Sequence, residues 1–158
     1  MYKIAIVSDS HDNIPAIKQA LSVIKEASVN YILHAGDFIA PFSISSFVNL
    51  GIEWKGVLGN NDGEVNGLLD KSKGAIMDKP QSISLYGKNI FLSHRPEDIP
   101  ENTDNLNVVI HGHTHRHYIE KRDNVLWINP GELCGYLTGR KSFVILELDN
   151  FTLETVYF

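Results

Sequence analysis

The chain has 158 residues, enough for one domain with a sizeable core and too few for two full ones. Its 14 Lys and Arg against 19 Asp and Glu leave a net charge of -5 with no basic run, which excludes an extended nucleic-acid surface. A single cysteine excludes an intrachain disulfide, and no apolar stretch has the length of a membrane span.

Residues 1–158 are therefore expected to form a single domain. With one thiol, Cys134, and no leader pattern at Met1-Tyr2-Lys3, the expected location is the cytoplasm. A small phosphorylated substrate stays open to such an acidic chain only where positive charge is supplied locally, for example by metal ions.

Ile4-Ala5-Ile6-Val7 is wholly apolar and predicts a central strand buried on both faces. It ends in Ser8-Asp9-Ser10-His11-Asp12-Asn13, and open α/β sheets place ligand sites at the carboxyl ends of their strands. Ile14, Ile17, Leu21 and Ile24 then recur at helical spacing, with Asp12 or Asn13 to cap and Pro15 in the first turn. The unit repeats. Tyr31-Ile32-Leu33-His34 predicts a second strand ending in Ala35-Gly36-Asp37, followed by a helix over Pro41 to Leu50 with Phe42, Phe47 and Leu50 as its apolar face. A third strand, Trp54 to Leu58, ends in Gly59-Asn60-Asn61-Asp62. Strand–helix alternation implies parallel pairing with right-handed crossovers.

The second half changes character. Gly63 to Lys79 is polar and predicts a short helix with loops. Ser82 to Leu85 and Asn89 to Leu92 flank Tyr86-Gly87-Lys88 as a hairpin whose second strand delivers Ser93-His94-Arg95. Pro96 and Pro100 confine Glu97 to Asn107 to a loop with at most a short helix. Val108-Val109-Ile110 then runs into His111-Gly112-His113-Thr114-His115-Arg116-His117. If that segment stays extended, its four imidazoles share one face; Gly112 offers a sharp change of direction instead. Two further hairpins follow, around Arg122-Asp123-Asn124 and around Asp149-Asn150, separated by the turn Asn129-Pro130-Gly131-Glu132. Tyr136 and Leu137 are expected to cover the sheet, and Cys134 to be inert packing. The fold class is α/β: two mixed sheets packed as a sandwich, flanked by helices.

Seven polar residues follow apolar segments: Asp9, His11, Asp37, Asn60, His94, His113 and His115. If the strands converge, these side chains meet at one edge. Two carboxylates, four imidazoles and an amide oxygen exceed the four ligands of a tetrahedral zinc and suit two divalent ions sharing a carboxylate. Two ions of about +4 against two aspartates of about -2 leave about +2, enough to attract a phosphate ester. Each residue alone has a plainer reading. Asp9 and Asp37 sit where helix caps and turn formers sit. His34 lies inside a strand and reads as a packed or supporting group, and His111 as one that orients a neighbour.

Asp9-Ser10-His11, Gly36-Asp37, Gly59-Asn60-Asn61-Asp62, His94 and Gly112-His113-Thr114-His115 resemble, in that order, the motifs of the calcineurin-like metallophosphoesterases, and the size resembles their compact bacterial and archaeal phosphodiesterase branch. Asn129-Pro130-Gly131-Glu132 resembles a further turn of that family. The resemblance implies that Asp9, His11, Asp37 and His115 hold one metal. Asp37, Asn60, His94 and His113 would hold the other, with Asp37 bridging. It implies hydrolysis of a small phosphodiester by a hydroxide bridging two divalent ions, with catalysis resting on Asp37, Asn60 and His94. Mn is the metal it favours; Ni, Fe, Co and Zn suit the same donors. Two departures stand out. Most of the family carries a proton-donating His where this chain has Asn61, which cannot donate a proton near neutral pH. Substrates with good leaving groups are therefore expected, or a substitute donor among His34, Asp62 and His117. The second is Ser93-His94-Arg95, where the family usually places glycines; Arg95 either contacts substrate or lies on the surface.

The rival readings are a non-catalytic scaffold of the same fold, a phosphomonoesterase or nucleotidase, and a single-zinc hydrolase; the last lacks a His-Glu-x-x-His pattern. The C-terminal strand ending in Val156-Tyr157-Phe158 offers an edge for a homodimer.

Overall fold

The computed structural model describes residues 1–158. Its first part runs β1 (Lys3–Val7), α1 (Ile14–Glu26), β2 (Tyr31–His34), α2 (Ser45–Val48), β3 (Glu53–Val57), α3 (Val65–Ser72) and β4 (Ile76–Met77). Its second part runs β5 (Gln81–Leu85), β6 (Lys88–Leu92), β7 (Val108–Ile110), β8 (Tyr118–Arg122), β9 (Val125–Asn129), β10 (Ser142–Glu147) and β11 (Leu153–Tyr157). These make a six-stranded sheet, ordered β11-β10-β1-β2-β3-β4, and a five-stranded sheet, ordered β5-β6-β7-β9-β8. No helix is long and apolar enough to cross a membrane.

Burial follows from strand alternation. In β1, Ala5 and Val7 face the helices while Ile4 and Ile6 face the second sheet, so both sides are sealed. Helix α1 starts where the Asn13 side chain accepts from the Ala16 N–H, with Pro15 in the first turn. Its Ile17, Leu21 and Ile24 pack on the first sheet, each contributing about 1.5–3 kcal/mol by burial. The second core layer takes Ile90, Leu92, Val108, Ile110 and Ile128 from the five-stranded sheet against Ile4, Ile6 and Leu33. It contains no helical residue. The expected sandwich is thus present, with helices on one side only.

Pairing directions place the site. β1, β2 and β3 are parallel, so Val7, His34 and Val57 end at one edge. β6 and β7 are parallel too, and Leu92 and Ile110 end together. Every antiparallel pair involves strands of the second half, β5–β6, β8–β9, β10–β11 and β1–β10, while β6–β7 and β7–β9 are parallel, the first joined by a crossover through Glu97 to Asn107 and the second by one through β8. The two edges meet. His94 Nδ1 reaches the Ala35 carbonyl at 2.7 Å, and the His113 N–H donates to Asp9 Oδ2 at 3.2 Å.

Three local expectations are corrected and one open alternative is decided. The helix expected over Pro41 to Leu50 is the single turn α2. Ser43 Oγ donates to the Ala40 carbonyl and Ser45 Oγ to the Phe42 carbonyl, which holds the chain in turns instead. Phe42 is consequently exposed, and Ile44 takes its place beside Phe47 in the core. β4 lies inside the segment expected to hold only helix and loop. Tyr136 and Leu137 do not cover the sheet; they are 62% and 74% exposed, and Leu133 is the buried residue there. Finally, His111 to His117 is not extended. The left-handed backbone sits at His113 and His115, not at Gly112. Gly112 serves a different need: a Cβ there would collide with the Ser8 hydroxyl.

Candidate metal centre

The loops after β1 and β2 bring Asp9, His11 and Asp37 together, and the loop after β7 adds His115. One ligand atom from each of the four lies within 4.8 Å of the others. Asp9 is fully buried. Its Oδ2 accepts from Ser8 Oγ at 2.6 Å and from the His113 N–H at 3.2 Å. Its Oδ1 has no hydrogen-bond partner, although His115 Nε2 lies 3.3 Å away. His11 Nε2 is also buried without a hydrogen bond, 3.3 Å from Asp37 Oδ2 and 3.9 Å from Asp9 Oδ1. Two orphaned polar atoms facing one space are costly unless something binds there. A divalent cation fits this donor set, which offers carboxylate oxygen and imidazole nitrogen together.

A second group adjoins the first through Asp37. His94 Nδ1 donates to the Ala35 carbonyl, so Nε2 carries the lone pair. That lone pair faces Asn60 Oδ1 at 2.9 Å and Asp37 Oδ1 at 3.4 Å. Acceptors so opposed suit a cation as well. The His113 ring stands edge-on to His94, centroids 5.2 Å apart. Asn60 is exposed where Asp9 and Asp37 are buried, so this group is the open side.

Backbone strain marks the site. Asp9, His11, Asp37, His113 and His115 all have φ between 41° and 66°. The left-handed region is costly for residues with a Cβ, and a cluster of five such residues at one point is a signature of function. The strand-end positions disclosed these residues; their backbone conformation had no signal in the sequence.

The structure also supplies groups that the sequence reading did not assign. Glu132 Oε2 accepts from His115 Nδ1 at 2.6 Å, which aims Nε2 at Asp9. Burial works to raise the Glu132 pKa, but the bonds from His115, the Thr138 hydroxyl and the Thr138 and Leu137 N–H groups prevail and bring it down to about 2. Its turn is visible in the sequence, but a lone acid after a turn carries no periodic signal. Asp62 accepts from the N–H groups of Gly59, Ile39 and Asp37 at 2.6, 2.7 and 3.2 Å, and so fixes the loops that carry Asp37 and Asn60. Asn61 binds Asp37 twice, Nδ2 to Oδ2 at 2.8 Å and backbone N to Oδ1 at 2.9 Å.

The candidate substitutes for a proton donor fare poorly. His34 is fully buried against Phe38; Gly36 N–H donates to its Nδ1, and its Nε2 meets Ser10 Oγ at 3.0 Å. Burial, reinforced by the neighbouring His94, lowers its pKa to about 3. Asp62 is committed to backbone donors, and His117 is engaged with Thr155 Oγ1 at 2.9 Å. His111 packs against Asn129 and the Gly112 carbonyl, the supporting place expected of it. Cys134 is buried beside Glu132, and burial pushes its thiol up to about 12, in keeping with inert packing.

The charges are strongly coupled. The carboxylates of Asp37 and then Asp9 raise His11 to about 9, partly offset by burial. Burial opposes ionisation of Asp37, yet His11, His94 and the two Asn61 contacts outweigh it and hold the carboxyl well below the usual range.

The profile of the calcineurin-like phosphoesterase superfamily domain matches residues 2–151. The chain belongs to this superfamily. Calcineurin-like phosphoesterases use divalent metals, and the four-residue group around Asp9 is one that could hold such an ion. A phosphodiesterase of Methanocaldococcus jannaschii is 37% identical over 156 residues, covering 94% of each chain. The phosphodiesterase YfcE of Escherichia coli is 28% identical over 149 residues, 84% of this chain and 80% of that one. A solved archaeal phosphodiesterase superposes with a TM-score of 0.92 at 35% identity, covering 99% of both chains. The compact prokaryotic branch of the calcineurin-like phosphoesterases is thus the one this chain matches.

Proposed function

We propose that this calcineurin-like phosphoesterase is a metal-dependent phosphodiesterase with two divalent ions, Mn being the metal the family resemblance favours. The observation that carries the reading is the convergence of Asp9, His11, Asp37 and His115, with Asp9 Oδ1 and His11 Nε2 left without partners and with His94 and Asn60 adjoining through Asp37. Asp9, His11, Asp37 and His115 would hold the buried ion. Asp37, Asn60, His94 and His113 would hold the open one. When bound, the ions would supply positive charge for a phosphate diester and acidify the attacking water.

The chain's own residues do the rest. Glu132 and the Ala35 carbonyl fix the tautomers of His115 and His94, so each presents a lone pair inward. Asn61 holds Asp37 in place and carries no transferable proton. The leaving group must therefore depart with little protonation, which favours diesters with acidic leaving groups over simple monoesters. Beside Asn60 and His94 opens a cleft of about 350 Å³ lined by Arg95 together with Asp78 and Asp98, so the guanidinium stands there among two carboxylates.

The test is hydrolysis of bis-p-nitrophenyl phosphate beside p-nitrophenyl phosphate, on chelator-stripped protein with single metals added back. The expected result is metal-dependent cleavage of the diester, faster than of the monoester and lost in His94→Ala. A folded protein that binds metal yet cleaves neither ester would point to the scaffold reading.

A further inference from the structure

Beside His115 lies a second cleft of about 270 Å³, lined by His115, Arg116, His117, Thr138, Arg140, Ser142 and Tyr157. No carboxylate lines it, in a chain whose acids outnumber its bases. Two guanidiniums enter it from different loops, and neither makes an ion pair. Arg140 lies over the Tyr157 ring at 4.6 Å from its centroid. Stacking of this kind holds the guanidinium plane while leaving its N–H edge free, the arrangement that favours paired bonds to a phosphate.

The wall is also built, not incidental. Thr138 donates to Glu132 Oε1 through its N–H at 2.6 Å and its hydroxyl at 2.7 Å, and the Arg140 N–H donates to Thr138 Oγ1 at 3.2 Å. Glu132 is the carboxylate that aims His115. One buried acid therefore registers both the arginine-bearing loop and the candidate metal ligand. An anion held between Arg116 and Arg140 would sit at a fixed offset from the reacting centre.

We infer that this cleft is a subsite for a second phosphate carried by the substrate. The inference rests on the phosphodiesterase reading for the term substrate, and on the cleft alone for phosphate binding. The preferred diesters would then be nucleotide-like, with one arm ending in a phosphomonoester that reaches over His115.

Two arms test it on the full chain, each comparing wild type with Arg116→Gln/Arg140→Gln. The first measures binding of inorganic phosphate to chelator-stripped protein by calorimetry. The expected result is binding that weakens about tenfold or more in the double variant, the loss of charge-assisted hydrogen bonds. Equal binding, or none, in both proteins overturns the cleft as a phosphate site. The second, on metal-loaded protein, compares kcat/KM for thymidine 5′-(p-nitrophenyl phosphate) with that for its 3′-phosphorylated form. A wild-type preference for the 3′-phosphorylated ester that collapses in the variant supports the subsite. No preference, or an equal loss on both esters, overturns its role in substrate choice and leaves the phosphodiesterase reading standing. Failure to cleave either ester would sink that reading instead, and phosphate binding in the first arm would still decide the cleft.

Discussion

The two halves of the candidate centre are built differently. The buried half takes Asp9, His11, Asp37 and His115, has orphaned atoms at its middle and is braced from behind by Glu132. The open half takes Asn60, His94 and His113, borders a cleft and shares Asp37 with the first. The difference predicts a division between holding and turnover. A carboxylate-rich pocket favours retention of a cation, whereas the exposed Asn60 amide leaves room for a substrate oxygen to enter.

The largest effect should come from the residue the halves share. Asp37→Asn keeps the size of the side chain and removes its charge; diester cleavage is expected to fall about 10³-fold with the fold intact by circular dichroism. A loss under tenfold would break the view that the halves act as one site. Next, Glu132→Gln should touch only the buried half. Metal titration of the variant should show one class of site weakened about 10- to 100-fold and the other unmoved; equal weakening of both would erase the distinction between the halves.

Proton release sharpens the contrast further. His11 is raised to about 9, so near pH 7 it holds a proton that a metal must displace. Affinity of the buried half should therefore rise with pH and level off above about 9. Calorimetry in buffers of different ionisation enthalpy should find about one proton released near pH 7. The smallest effect lies behind the buried half. His34 titrates at about 3 in the folded chain, below its ordinary 6.5. The unfolded chain takes up that proton first, so His34 favours the folded state above pH 6.5 and its contribution drains away as pH falls towards 3. His34→Gln should flatten the acid side of a denaturation profile by up to one proton; an unchanged slope would remove His34 as its source.

Much of this was legible because apolar runs ending in Asp, Asn or His leave few alternatives. Ile4 to Val7 and Val108 to Ile110 could only be buried strands, and whatever followed them had to sit at a sheet edge. The order of the motifs carried the family. What stayed hidden depended on tertiary context. Pro41 to Leu50 has helical spacing, but Ser43 and Ser45 divert the backbone through their hydroxyls. β4 is two residues long and exists because β3 offers an edge. Glu132 gains its role only when the turn after β9 folds behind His115. Left-handed conformations at Asp9 and His115 are imposed by packing, since neither residue type demands them.

The register of β1 has a temporal side. Its antiparallel neighbour is β10, so the second residue row it needs is Val144 to Glu147, nearly at the end of the chain. On a ribosome Asp9, His11, Asp37 and Asn60 emerge first, while β1 still presents a bare edge. At about 5–20 residues per second, roughly 4–17 s separate the appearance of Asn60 from that of Glu147. During that interval the nascent chain gains His94, then His113 and His115, while β10 is still missing. The candidate ligands are thus all synthesised before the strand that covers the open edge of β1.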